Sequence, residues 1–272
     1  MSELYVAVDE PRRERGGDDA AGDIVLVHGW GLHGGVFDEV AHDLAEDGWR
    51  VWRVDLPGHG RSAPASEGYS LATLVQSVEA AMAPHLAGPA WWLGWSLGGL
   101  VALALALDSP EAVAGLVTVA TTPRFVTGAD WPWAVAPEVL AGFERDLAGD
   151  YRATLLRFLA LQARGGEHAR EDVRRLRERV FARGEPDPQA LRGGLAILAD
   201  TDLRARLQDI TAPVLAVGGE RDTLVPPAAV TAFAGALPRG EASVIAGAGH
   251  APFISDRPQF IATVKPFIDA RH

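Results

Sequence analysis

The sequence predicts an α/β fold: a mostly parallel central sheet with helices on both faces, into which a helical cap is inserted. Three observations carry this. Apolar strand patterns alternate with helical ones from residue 23 to 121, only helical patterns occur over 122–199, and the alternation resumes at Pro213. Strands separated by helices imply right-handed crossovers and a parallel sheet covered on both sides. The chain therefore divides into a core, residues 1–121 and 200–272, and a cap, residues 122–199.

Residues 3–8 alternate enough for an edge strand, and Pro11 to Gly22, charged and Gly-rich, read as a surface turn or mobile loop. Asp23-Ile-Val-Leu-Val27 is β-branched and apolar on both faces, as a buried parallel strand should be. A helix is expected over Gly35–Glu46, with Val36, Phe37, Val40 and Leu44 on one face. Trp49–Asp55 is the next strand, and Leu56 to Ser62 turns the chain. Ser70 is the N-cap of a helix reaching Ala83. Ala90–Leu93 is an apolar strand, Leu97–Leu107 a helix and Val113–Val119 a strand. The cap helices fall at Pro137–Leu147, Tyr151–Ala163, Glu167–Phe181 and Pro188–Leu198. Strands at Pro213–Val217 and Ala242–Ile245 and a helix at Pro258–Ala270 complete the pattern.

The totals narrow the function classes. With 272 residues, 48% of them hydrophobic, the chain can fill one large core, and no apolar run approaches a membrane span. No basic stretch followed by an apolar one opens the chain, so a secretory signal is not expected. The absence of cysteine excludes disulfides, thiolate metal sites and a cysteine nucleophile, and fits a cytoplasmic protein. A formal charge of −11 argues against general nucleic-acid binding, which needs a basic surface, and reads as solubility.

The chemistry centres on Gly94-Trp-Ser-Leu-Gly98, a G-x-S-x-G segment set between a strand and a helix. In that setting it is a nucleophile elbow, a turn so sharp that the Ser96 hydroxyl projects. Side chains at Gly94 or Gly98 would collide with the neighbouring helix and strand. A serine hydroxyl needs a base, and the base needs a carboxylate to hold its tautomer. His250, in the Gly-rich loop Ala246-Gly-Ala-Gly-His250, is the base. His42 and His168 fall in helical patterns, His28 and His59 in turns, and His33, His85 and His272 outside any catalytic loop. Asp222 is the carboxylate, at the C-terminal end of its strand where parallel sheets bind ligands. It is preferred to Glu220, one step too early, and to Asp200 and Asp202, which read as helix caps at the cap border. The backbone N–H groups of Trp30 and Leu97 are the expected oxyanion donors, with His28 and Gly29 shaping the turn and the Trp30 ring walling the acyl site. The chain order Ser…Asp…His is that of the α/β-hydrolases.

Finer motifs carry a closer resemblance. His28-Gly-Trp-Gly-Leu32, Asp55-Leu-Pro-Gly-His-Gly-Arg-Ser62, Trp92-Leu-Gly-Trp-Ser-Leu-Gly-Gly-Leu-Val101 and Leu116-Val-Thr-Val-Ala120 occur with Val139-Leu-Ala-Gly-Phe143, Arg157-Phe-Leu-Ala-Leu-Gln162, Gly193-Gly-Leu195 and His250-Ala-Pro-Phe-Ile-Ser255. Together they resemble the pimeloyl-[acyl-carrier protein] methyl ester esterases of biotin synthesis, a family of α/β-hydrolases. The resemblance implies removal of the methyl group from a pimeloyl chain held on acyl-carrier protein. It also implies a substrate channel lined by Phe158, Leu159, Ala160, Leu161 and Gln162, beside Trp30, Ser96, Leu97 and His250. Carrier docking would fall to Arg157, Arg170 and Arg174; one further basic position of the family is Ala153 here, with Arg152 beside it. A monomer using no metal or organic cofactor is the expectation. A broad short-chain esterase, a carbon–carbon bond hydrolase and a non-catalytic ligand binder on the same fold remain open alternatives, because fold does not fix substrate.

Overall fold

Ile24, Val25, Leu26 and Val27 are fully buried on both faces of their strand, which puts it in the middle of a sheet. The structure is a computed structural model and describes residues 3–12, 20–162 and 166–271. Its strands are β1 (Val6–Asp9), β2 (Asp23–Val27), β3 (Arg50–Val54), β4 (Ala90–Trp95), β5 (Val113–Val119), β6 (Val214–Gly219) and β7 (Gly240–Ile245). They form one sheet in the order β1-β3-β2-β4-β5-β6-β7, parallel except for β1, which pairs antiparallel with β3. From β2 the chain steps to one neighbour, β3, and then crosses to the other, β4. The crevice beyond the C-terminal ends of β2 and β4 is therefore a topological switch point, where open α/β sheets bind ligands.

The core helices are α1 (Asp38–Glu46), α2 (Leu71–Met82), α3 (Leu97–Asp108), α8 (Pro227–Gly235), α9 (Pro252–Ser255) and α10 (Arg257–Asp269), and those between β5 and β6 are α4 (Pro137–Leu147), α5 (Tyr151–Gln162), α6 (Ala169–Val180) and α7 (Pro188–Asp200). Alternate β4 residues sort the core helices between faces. The Trp91 ring meets Phe267 of α10, whereas Gly94, an odd number of residues along, abuts α3. Ser70 caps α2 by accepting from Thr73 N–H.

Two differences from the sequence expectation have local causes. The helix expected over 35–46 opens as a 3-10 turn at Gly34–Phe37, because two glycines disfavour α-helix and the His33 ring caps Gly35 N–H; α1 starts only at Asp38. Helix α8 was not expected: Pro227-Ala-Ala-Val-Thr-Ala-Phe-Ala-Gly235 is apolar almost all round and shows no periodic contrast. Asp202 binds Arg124 and Arg204 at the cap border, and Asp200 ends α7. Residues 13–19 of the expected N-terminal loop, Ala163 of the expected second cap helix, and His272 lie outside the described residues.

Hydrogen bonds tie the insertion between β5 and β6 to the core, two groups of them beside the loops that follow β2, β3 and β7. In one, Glu167 N–H donates to Gly247 O and His250 N–H to Gln162 O. In the other, Arg179 donates to the carbonyls of Gly35 and Val36, His33 donates to Arg179 O, and Asp187 N–H donates to Gly58 O. Arg183 there reaches the fully buried Asp55 at 3.2 Å. Among the described residues no helix is long and apolar enough to cross a membrane.

Candidate active site

Ser96 follows β4 with φ 54° and ψ −116°, the strained backbone that a strand-to-helix elbow demands. Two glycines let the elbow close. A Cβ on Gly94 would overlap Gly98 O of α3, and one on Gly98 would overlap Val27 O at the end of β2. The next strand buttresses the turn: Ser96 N–H donates to Val119 O at 2.9 Å, and the Thr121 hydroxyl donates to Ser96 O at 3.0 Å. Ala120, between those partners, is itself held at φ 46°.

Asp222 follows β6 and His250 follows β7. The His250 Nδ1 lies 2.8 Å from Asp222 Oδ2, and Nε2 lies 3.1 Å from Ser96 Oγ. Asp222 Oδ1 accepts from Leu224 N–H at 2.8 Å and Val225 N–H at 3.0 Å, which turns Oδ2 toward the imidazole. A carboxylate only accepts, so the proton of a neutral His250 sits on Nδ1 and the Nε2 lone pair faces the serine. All three side chains are buried. Glu220, the rejected alternative, instead accepts from Gly247 N–H and braces the histidine loop.

The loop after β2 sits against the elbow, since a Cβ on Gly29 would lie 3.3 Å from Ser96 Cβ. The N–H groups of Trp30 and Leu97 have no hydrogen-bond partner among the described residues. The side chains of both residues converge under Gly194 of α7. The Trp30 indole N–H donates to Leu191 O at 2.8 Å, and its ring meets Phe158 at 4.7 Å.

Of the α5 segment, Phe158, Leu159 and Gln162 are buried, Leu161 is partly buried and Ala160 faces solvent, so Ala160 is not gathered with the others. The Gln162 side chain is 2% exposed, yet neither its Nε2 nor its Oε1 has a partner among the described residues. The cap arginines differ in their engagements. Arg157 pairs with Asp146 at 2.6 Å, Arg174 is held by Glu171 and Glu178, and exposed Arg170 makes no ion pair among the described residues. Arg152 pairs with Glu185, and Ala153 beside it is exposed. The Arg174 and Arg175 guanidiniums hold the Glu171 carboxyl down to about 2.

Sequence reasoning missed two supporting residues. The Trp95 indole donates to His250 O at 2.8 Å, so the residue before the serine also grips the histidine loop. His33, set aside as lying outside any catalytic loop, is buried and joins the loop after β2 to the cap. A bulky aromatic directly before Ser96 was the available signal for the first; nothing local marked the second. Among the described residues no group of three or more His, Asp or Glu side chains is gathered to hold a metal ion.

Residues 24–256 match the family model described as alpha/beta hydrolase fold. A pimeloyl-[acyl-carrier protein] methyl ester esterase of Xanthomonas oryzae pv. oryzae (strain MAFF 311018) is 47% identical over 245 residues, covering 90% of this chain and 94% of the relative. One of Stenotrophomonas maltophilia (strain R551-3) is 46% identical over 246 residues, covering 90% and 92%. Among solved structures, an esterase from Exiguobacterium antarcticum superposes with a TM-score of 0.86 at 21% identity, covering 98% of this chain and 96% of that one, a likeness of fold.

Proposed function

The chain belongs to the alpha/beta hydrolase fold family and, within it, to the pimeloyl-[acyl-carrier protein] methyl ester esterases, and on that premise we propose that it hydrolyses the methyl ester of a pimeloyl chain carried on acyl-carrier protein. The observation that carries this reading is the hydrogen-bonded relay from Asp222 through His250 to Ser96, at 2.8 and 3.1 Å.

Ser96 Oγ attacks the ester carbonyl while His250 Nε2 takes its proton and Asp222 holds the imidazolium. The carbonyl oxygen becomes an oxyanion facing the open N–H groups of Trp30 and Leu97, the latter at the positive end of α3. Collapse breaks the bond to the methoxy group, which leaves as methanol with the proton from His250. Water then loses a proton to His250 and attacks the acyl-enzyme; Ser96 recovers its proton and the pimeloyl carboxylate departs. The acyl chain runs along Phe158, Leu159, Leu161 and Gln162. The Gln162 amide, which has no partner among the described residues, supports this, because a buried amide without a partner is unfavourable unless a ligand completes it. Arg170, free of ion pairs among the described residues, is the leading contact for an acidic carrier, with Arg157 and Arg174 beside it. An acidic enzyme needs such a local basic patch to receive an acidic partner. We place this monomeric enzyme in the cytoplasm, where carrier-bound acyl chains are made.

The test compares methanol release from pimeloyl methyl ester on carrier protein, nitrophenol release from nitrophenyl esters and carbon–carbon cleavage of a ring-fission diketone. Efficient turnover of the carrier-bound ester, together with growth without biotin of a strain lacking its own esterase, is the expected result. Turnover of the small ester or the diketone with the carrier-bound ester untouched would overturn the substrate assignment.

A further inference from the structure

We infer that His59, acting together with His28, is a positioning residue for the oxyanion hole, a neutral imidazole that fixes the direction of the Trp30 N–H from the turn after β3. The inference rests on the reading of Trp30 as an oxyanion donor. Gly29 C=O and Trp30 N–H are opposite ends of one rigid trans peptide plane, so whatever holds the carbonyl aims the amide. His28 Nδ1–H holds that carbonyl at 2.8 Å. The next amide along, Gly31 N–H, donates to His59 Nε2 at 3.3 Å, and Gly31 sits at φ +74°, which leaves that stretch without a side chain to stiffen it. The peptide carrying the Trp30 N–H is thus pinned on one side by His28, and its neighbour on the other by His59.

Both rings are anchored in the turn after β3. His28 Nε2 accepts from Leu56 N–H at 2.9 Å, and His59 Nδ1–H donates to Pro57 O at 3.0 Å. Each ring therefore spends one nitrogen as donor and one as acceptor, which only a neutral imidazole can do. The two rings lie 5.3 Å apart and are buried, so no water competes for these bonds. A hydrogen bond to the carbonyl end of a peptide also polarises its N–H, strengthening it as a donor. Burial holds the His59 imidazole down to about 4, which keeps it neutral throughout the working range.

The test uses three variants. In His59→Gln the amide oxygen reaches the place of Nε2 and accepts from Gly31; His59→Asn is polar but too short; His59→Leu has no acceptor. Each is assayed for kcat and KM on a nitrophenyl ester and for Ki with a trifluoromethyl ketone, which adds to a serine hydroxyl and leaves an oxyanion in the hole. His59→Asn and His59→Leu are expected to lose about 10- to 100-fold in kcat, short of the loss for deleting a donor outright. Ki should weaken by the same factor and KM should change less than about threefold, while His59→Gln recovers most of the activity. If His59→Leu does not fold, the contrast between Gln and Asn decides. Equal behaviour of Gln and Asn, or a loss expressed in KM with Ki unmoved, overturns the inference. Failure of the ketone to inhibit the wild type would instead sink the esterase reading itself.

Discussion

Acidification should unfold this protein through its buried imidazoles before its carboxylates are fully protonated, and His59 allows the size to be worked out. Its proton affinity is lowered from the ordinary 6.5 to about 4, chiefly by burial and further by neighbouring His33, against the opposing pull of its Pro57 hydrogen bond, Asp55 and Asp187. Above pH 6.5 the imidazole is neutral folded and unfolded, and contributes no pH dependence. Between 6.5 and about 4 the unfolded chain takes up a proton that the native state refuses, so stability falls as pH falls. The slope approaches 1.4 kcal/mol per pH unit, and the loss from His59 alone sums to about 3 kcal/mol by pH 4. That is a large share of a stability of roughly 5–15 kcal/mol. His28 and His33 are also lowered by burial and act in the same direction. The assay is urea unfolding at half-unit steps from pH 7.5 to pH 4.5 for the wild type and His59→Gln, whose side chain does not titrate. The difference between the two curves should be flat above pH 7 and then shrink by about 1 kcal/mol or more per unit on acidification. Parallel curves across the range would refute the reasoning.

Gln162→Leu replaces a buried amide that has no partner among the described residues with an apolar group of similar size. It should raise the melting temperature, by an amount equivalent to about 1–2 kcal/mol, while lowering kcat/KM on the carrier-bound ester; a fall in both would remove Gln162 from the substrate channel. Arg170→Glu should raise KM for carrier-bound substrate more than Arg174→Glu, because Glu171 and Glu178 already occupy the Arg174 guanidinium. Neither should change KM for a nitrophenyl ester, and equal effects on both substrates would take these arginines out of carrier docking. Arg183→Met strips the buried Asp55 carboxylate of its guanidinium partner and leaves it, among the described residues, the N–H groups of Gly34 and Arg61. A loss of about 3 kcal/mol in chemical denaturation is expected, and a loss below 1 would mean that the ion pair is replaceable by solvent.

Much of the core was legible because burial and period agree there. Residues 24–27 are apolar on both faces and lie mid-sheet, and Gly94-Trp-Ser-Leu-Gly98 has close-packing demands that only glycines meet at its ends. Loop residues 222 and 250 are legible through their place after a strand rather than through local pattern, and they meet only because the sheet order sets β6 beside β7, so that the loops after them adjoin. What escaped was non-local or lacked contrast. Helix α8 is too uniformly apolar to show a periodic face. The grip of Trp95 on His250 O spans 155 residues, and the reach of Arg183 to Asp55 spans 128. His59 looked like an ordinary turn residue because its partner, Gly31 N–H, arrives from a different strand end.

The central claim is that Ser96 is made nucleophilic by His250 under the hold of Asp222. Reaction with a fluorophosphonate followed by peptide mass spectrometry tests it most directly. One adduct is expected, on the peptide carrying Ser96, absent in Ser96→Ala and formed at least about 100-fold more slowly in His250→Ala. Labelling of another residue, or undiminished labelling of Ser96 in folded His250→Ala, would contradict it.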